Sequence, residues 1–250
     1  MIGLLASEAR KLTSVRTVWV LSVAGWGFVL LAAALTVFTE TGPAGEFTGQ
    51  PEQVANVVDS LGQSMPFVLV VGLLIMTTEF SHQTAGRTFL VTPSRPRILL
   101  AKLLTGVGFA VWFMLGGLAV VAVVLLAGSL GSDVSLRFDA DVWLAARDAT
   151  AGTILNVLFG VAVGSAIRSQ VVAITGVLVW MLVLENLVSF GLPSIGRWLP
   201  FSALSAVFTS PGVDTGPFTP LDPQVGLAVF LGWVVLALLL AWGLLTRRDV

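Results

Sequence analysis

The sequence predicts an all-α integral membrane protein with six transmembrane helices, and three observations lead there. Composition is the first: 56% of the 250 residues are hydrophobic and 11% are charged, where soluble domains carry about 25% charged residues. Six long apolar runs, with Lys102 and Glu185 the charged residues inside them, are the second, and the third is that Lys and Arg gather at alternate junctions between those runs. A mean hydropathy of +0.96 excludes a disordered chain and an ordinary soluble enzyme, which both need solvated surface. With no cysteine and one histidine, disulfides, thiol catalysis, Cys-based metal centres and multi-histidine metal sites are excluded. The net charge of −1 points to no particular partner, and no nucleic acid is expected.

A helix needs about 20 apolar residues to cross a hydrocarbon core of about 30 Å. The runs at 18–38, 61–78, 98–130, 151–167, 171–190 and 225–245 meet that requirement. They are continuously apolar, whereas a barrel strand alternates over about ten residues. The third run is overlong; it either begins in a cytoplasmic extension near Lys102 or tilts strongly.

Cytoplasmic segments are enriched in Lys and Arg. Arg10, Lys11 and Arg16 precede the first run, Arg87, Arg95, Arg97 and Lys102 lie around the second junction, Arg168 lies between runs four and five, and Arg247 and Arg248 follow the sixth. That is 10 of the 13 basic residues on one side, against Arg137, Arg147, Arg197 and ten carboxylates on the other. Both termini are therefore expected in the cytoplasm. The first run is read as a span and not as a cleaved signal peptide, because its apolar stretch exceeds the roughly 7–15 residues of an h-region.

Three segments between the runs have character of their own. Residues 1–17 place Leu5, Ala9 and Leu12 at helical spacing with Glu8, Lys11 and Arg16 on other faces, which fits an amphipathic surface helix or a plain basic topology anchor. Residues 79–102 hold four basic residues, one acid, Gly86, Pro93 and Pro96. This stretch is expected to lie exposed at the cytoplasmic face, as a docking element or as a positive-inside loop. Residues 191–224 contain six prolines and apolar stretches too short to span, consistent with an outer re-entrant element or an outer loop packed on the bundle.

Enzyme chemistry is hard to find. Neither lysine, Lys11 after Arg10 or Lys102 after Ala101, sits in a Gly-Lys-Ser/Thr phosphate-binding loop, and no H-E-x-x-H or G-x-S-x-G motif occurs. No catalytic or metal-binding residue is expected in this chain. The larger polar groups in or near the spans are Gln63, Asn156, Glu185 and Asn186. An intramembrane carboxylate is costly, so Glu185 either serves a substrate path or gate or snorkels to the outer interface about 8 Å away. Asn156 faces the same choice, with interhelical hydrogen bonding as its structural role. Gly160 and Gly164 form a small-xxx-small pair that lets two helix backbones approach, the partner lying within the chain or in a second copy.

The ordered set of a basic amphipathic N-terminus, six runs, the stretch TTEFSHQTAGRTFLVTPSRPRILLAK after the second and AIRSQ after the fourth resembles the ABC type-2 permease family over nearly the whole chain. Its most specific part is Glu79, Phe80, Thr84, Arg87, Thr88, Leu90, Pro93, Arg95, Leu99 and Lys102; one departure is Gln83 before Thr84, where the family often has Gly. The run LENLVSFGLPSIGRWLPFSAL is similar to the family's fifth-span end and outer segment.

The resemblance implies the membrane subunit of a bacterial exporter, working as a homodimer or heterodimer of permeases in the plasma membrane. Two cytoplasmic ATPase subunits would bind ATP and Mg, so no cofactor is expected in this chain. It also implies a coupling helix within residues 80–97. Phe80, Thr84, Arg87, Thr88 and Arg95 would lie at the docking surface, Arg87 and Arg95 pairing with acidic groups and Phe89 or Leu90 filling an apolar pocket. Asn156, Glu185 and Phe201 are the candidates for a substrate path or gate. With few ionisable groups in the spans, an amphipathic or apolar cargo (drug, lipid or peptide) fits better than a small ion. The alternative is a non-transporting membrane anchor or sensor whose basic loop recruits a cytoplasmic partner; binding of anionic membrane lipid by the same residues is a third reading.

Overall fold

Inside a membrane every backbone polar group must be satisfied by the chain itself, and helices are the solution seen throughout the described residues. The computed structural model describes residues 2–40, 47–81, 95–130, 135–167, 169–209 and 220–247. In order they form α1 (Ile2–Ser14), α2 (Arg16–Glu40), α3 (Pro51–Asp59), a 3-10 turn (Ser60–Ser64), α4 (Met65–Ser81), α5 (Arg95–Ser129) and α6 (Ala140–Ala166). There follow α7 (Gln170–Val179), a π-helical turn (Trp180–Leu184), α8 (Glu185–Gly191), the short α9 (Pro193–Gly196) and α10 (Pro200–Ala206), and α11 (Pro223–Arg247). Six stretches are long and apolar enough to cross a membrane: Arg16–Thr39, Pro51–Thr78, Arg97–Ser129, Ala140–Ala166, Gln170–Gly191 and Pro223–Leu244.

Two spans begin earlier than the apolar runs predict. The second starts at Pro51, where proline is tolerated at the first helical position, and α3 buries Val54, Ala55, Val57 and Val58 before the 3-10 turn leads into α4. The fourth starts at Ala140, capped by Asp139, whose carboxylate accepts from the backbone N–H groups of Asp141 and Val142. Arg147 and Asp148 interrupt the apolar run there. They do not interrupt the helix, because the guanidinium donates to Asp148 Oδ1 at 2.6 and 2.8 Å. The overlong third run is one unbroken helix of 35 residues, about 52 Å at 1.5 Å per residue.

Burial divides the six spans into a centre and a rim. Spans two and four are 72% and 61% buried over their most apolar windows, whereas spans one, five and six are only 17–22% buried and present most of their surface outward. Glycine makes the central contact close. A Cβ at Gly160 would stand 2.7 Å from the Leu69 carbonyl oxygen and 2.9 Å from Gly72 Cα, one at Gly72 would stand 2.6 Å from Val157 O, and one at Gly164 would stand 2.9 Å from Leu73 O. The small-xxx-small pair of α6 therefore packs backbone to backbone on α4 of the same chain, which decides between the two partners left open by the sequence.

The remaining helices are seated by polar groups and rings. On the α2 side, Trp26 Nε1 donates to Phe113 O at 3.0 Å and its ring fills the space over Gly116. At the other end from α1, α10 packs on the start of α11, where a Cβ at Gly226 would stand 2.5 Å from Ala203 O. Residues 191–209 are thus short helices packed on the bundle, with Pro200, Phe201, Ala203, Leu204 and Ala206 buried.

Overpacking a tight interior contact costs about 1–3 kcal/mol, and more where backbone cannot yield. Gly160→Leu is expected to lower the thermal unfolding midpoint of the purified protein in detergent. Gly176→Leu, at an exposed site with nothing within 4 Å, should leave it unchanged.

Candidate functional site

Two clusters flank the bundle's ends and one chain of contacts runs between them. At the first end α1 lies against the start of α5. Lys102, only 1% exposed, lies among the buried Ile98, Leu99 and Ala101 of α5. A buried ammonium is costly unless it is paired and hydrogen-bonded. Its Nζ donates to Glu8 Oε2 at 2.9 Å and to the Ile75 carbonyl oxygen at 3.0 Å, and Lys11 Nζ donates to Glu8 Oε1 at 2.6 Å. One charged group thereby ties α1, α4 and α5 together.

This corrects two expectations. Lys102 does not lie exposed, and Glu8 does not sit on an outer face of α1; it is 4% exposed and turned into the bundle, while Leu5 and Leu12 are half-buried and Ala9 is exposed. Burial pushes the Glu8 carboxyl up, but the attraction and hydrogen bonds of Lys102, with those of Lys11, outweigh it and hold the group below its ordinary value. Of the docking candidates, Phe80 and Arg95 fall on the last turn of α4 and the first residue of α5. Thr84, Arg87, Thr88, Phe89 and Leu90 lie outside the described residues.

The interior candidates come together along one path of contacts. Asn156 is fully buried on α6 and its Nδ2 donates to Met65 O at 3.0 Å, where α4 leaves the 3-10 turn. Its Oδ1 has no hydrogen-bond partner among the described residues. Phe159, one turn further, meets the Phe201 ring edge-on at 5.7 Å between centroids and lies 5.6 Å from that of Phe230. Next to Phe201, the backbone N–H of Ser202 donates to Glu185 Oε1, and Trp180 Nε1 donates to Glu185 Oε2 at 3.0 Å. Asn156, Phe201 and Glu185 are all buried.

Glu185 therefore does not snorkel; it is 2% exposed and faces inward. The π-helical turn helps to aim it. Buried positions on this span fall at Ala173, Val177, Glu185 and Ser189, four or eight residues apart; in a regular helix each four residues drift about 40°, and a wider turn takes back part of that drift. Ser202 is the third residue of α10, and Leu199 at the N-cap has no acceptor in its side chain. The carboxylate of Glu185 thus supplies from another helix the cap that α10 lacks.

At the opposite end, a cavity of about 630 Å³ between α3, α6 and the start of α11 is lined by Glu52, Asp59, Asp141, Asp148 and Asp222. In the sequence these were only scattered charges on one side, and only the fold brings them together. Such a wall concentrates cations. Among the described residues no group of three or more His, Cys, Asp or Glu is arranged to hold a metal ion.

Removing one partner of a buried ion pair costs about 3 kcal/mol or more, whereas an apolar pair in its place is often neutral. Glu8→Leu and Lys102→Met should each lower the unfolding midpoint, and the double variant should recover most of the loss. Because the folded Glu8 carboxyl binds its proton less tightly than the unfolded one, the pair's contribution is complete above about its ordinary value of 4.5 and fades as pH falls below it. The gap in midpoint between wild type and Glu8→Leu should accordingly narrow between neutral pH and the acid range. Glu185→Ala should cost about 1–3 kcal/mol, leaving two donors unpaired, and Glu185→Gln, which keeps an acceptor, should cost less; an equal loss would argue that the charge itself is required.

Compared with known proteins, the chain matches no family model and no curated protein.

Proposed function

We propose that this chain is the membrane permease of an ATP-driven exporter of the ABC type-2 class, in a bacterial plasma membrane with both termini cytoplasmic. The observation that carries this reading is where the basic segment emerges. In sequence it connects the end of α4 to the start of α5, and just inside both ends Lys102 joins α5 to Ile75 of α4 and to Glu8 of α1. A push on that segment is delivered to three helices at once, and α4 is half of the central glycine contact with α6. The basic charge of the segment and its similarity to the family's coupling element support the same reading.

In this mechanism the chain supplies no nucleotide chemistry, consistent with the missing phosphate-binding loop. Partner ATPase subunits hold ATP and Mg. Their closure moves the coupling segment, and α4 and α5 move with it against α6 and the rim helices, so a pair of permease copies alternates between inward- and outward-facing states. Arg87 and Arg95 meet acidic groups on the ATPase, and Phe89 or Leu90 enters an apolar pocket. The cargo is amphipathic or apolar, in keeping with so few ionisable groups in the spans, and Asn156, Phe201 and Glu185 stand where a closed path would have to separate.

Purification of the tagged chain in mild detergent from its native host should recover a phosphate-loop ATPase with ATP hydrolysis activity. The combined change Arg87→Glu and Phe89→Ala should abolish that recovery without lowering the amount of permease. Recovery of a different cytoplasmic partner with no ATPase would replace transport with the anchor or sensor reading.

A further inference from the structure

Outside the sites above, an apolar groove among the described residues has basic residues beside it. It runs between α1 and the outward face of α5, has a volume of about 470 Å³, and is bounded by Leu5, Ala9 and Leu12 on one wall and by Leu104, Phe109 and Trp112 on the other. The α5 wall extends over Leu104–Trp112, about 12 Å of helix. Gly108 forms part of the floor, and a Cβ there would meet nothing within 4 Å, so the space is open. At the α1–α2 junction, Trp19 Nε1 donates to Thr13 O at 2.8 Å and its ring packs edge-on against Trp112 with centroids 5.4 Å apart. Paired indoles at the mouth of an apolar slot are typical of the membrane–water boundary.

The exposed charged residues of α1 and of the start of α2 are all basic. Arg10 is exposed and lies three residues before Thr13, a lining residue, so the two are neighbours on the surface of α1. Arg16 is exposed at the start of α2, next to the lining residues Val18 and Trp19. Glu8, the one acid of α1, is buried and bonded to two lysines, so it does not oppose an anion at the mouth. An apolar slot with cationic residues at its edge complements a molecule with an apolar tail and an anionic head.

We propose that this groove binds one acyl chain of an anionic phospholipid whose phosphate is met by Arg10 and Arg16. The site depends neither on the transport reading nor on which side of the membrane α1 occupies. It makes the seating of α1, and so of the Glu8–Lys102 pair beneath it, responsive to lipid composition.

The test titrates the purified full chain in detergent with phosphatidylglycerol carrying brominated acyl chains and follows tryptophan quenching, with brominated phosphatidylcholine as the neutral comparison. Phosphatidylglycerol should quench saturably and at lower concentration. Neutralising both arginines (Arg10→Gln, Arg16→Gln) should weaken its apparent affinity by about fivefold for each residue and bring it toward that of phosphatidylcholine. Gly108→Leu fills open space and should remove the saturable component at an unchanged unfolding midpoint. Excess inorganic phosphate should not displace the lipid. Superimposable titrations of the two lipids, quenching unaffected by either variant, or displacement by phosphate alone would each overturn the proposal.

Discussion

A positive charge buried in an apolar bundle has to be met, and the way Lys102 is met organises one end of this protein. Its ammonium lies within hydrogen-bond distance of a carboxylate on α1 and a backbone carbonyl on α4 while its own backbone belongs to α5. Without it α1 would be a surface helix held by a few apolar contacts and lipid; with it α1 is part of the bundle. The basic segment that follows α4 therefore starts and ends on a braced base.

The middle of the bundle is built on a different principle. Lipid supplies no hydrophobic driving force between helices, so close backbone approach and packing must do the work. Gly72, Gly160 and Gly164 allow that approach between α4 and α6, and Asn156 adds a hydrogen bond at the irregular start of α4. Around this pair the rim helices bury little of themselves, and Glu185 caps α10 from across a helix boundary. A charged tie at one end, glycine contact in the centre and a carboxylate cap on α10 leave the rim as the freest part.

Much of this architecture is legible in the sequence because hydrophobic length is a direct physical requirement of the bilayer. The six spans follow from it, while the close approach at Gly160 and Gly164 is signalled only by their four-residue spacing. What escaped is instructive. The fourth span begins eleven residues before its apolar run, because Arg147 and Asp148 neutralise each other on the helix. Glu8 and Lys102 are each costly to bury alone, which predicts surface charges; their pairing across 94 positions is a tertiary fact. A signal was present, since Glu8 falls between Leu5 and Leu12 on the apolar spacing of α1, and Lys102 lies inside an apolar stretch. The acidic cavity gathers residues from three separated segments, which no local pattern reveals.

The buried ion pair holds α1, α4 and α5 as one unit. The chain contains no cysteine, so spin labels can be placed on introduced cysteines without background, at Ser7 of α1 and Leu100 of α5, both exposed. Pulsed electron resonance on the labelled protein in lipid should give one narrow distance distribution, and adding Lys102→Met should broaden it. A broad distribution with Lys102 intact, or a narrow one that survives its replacement, would contradict the claim.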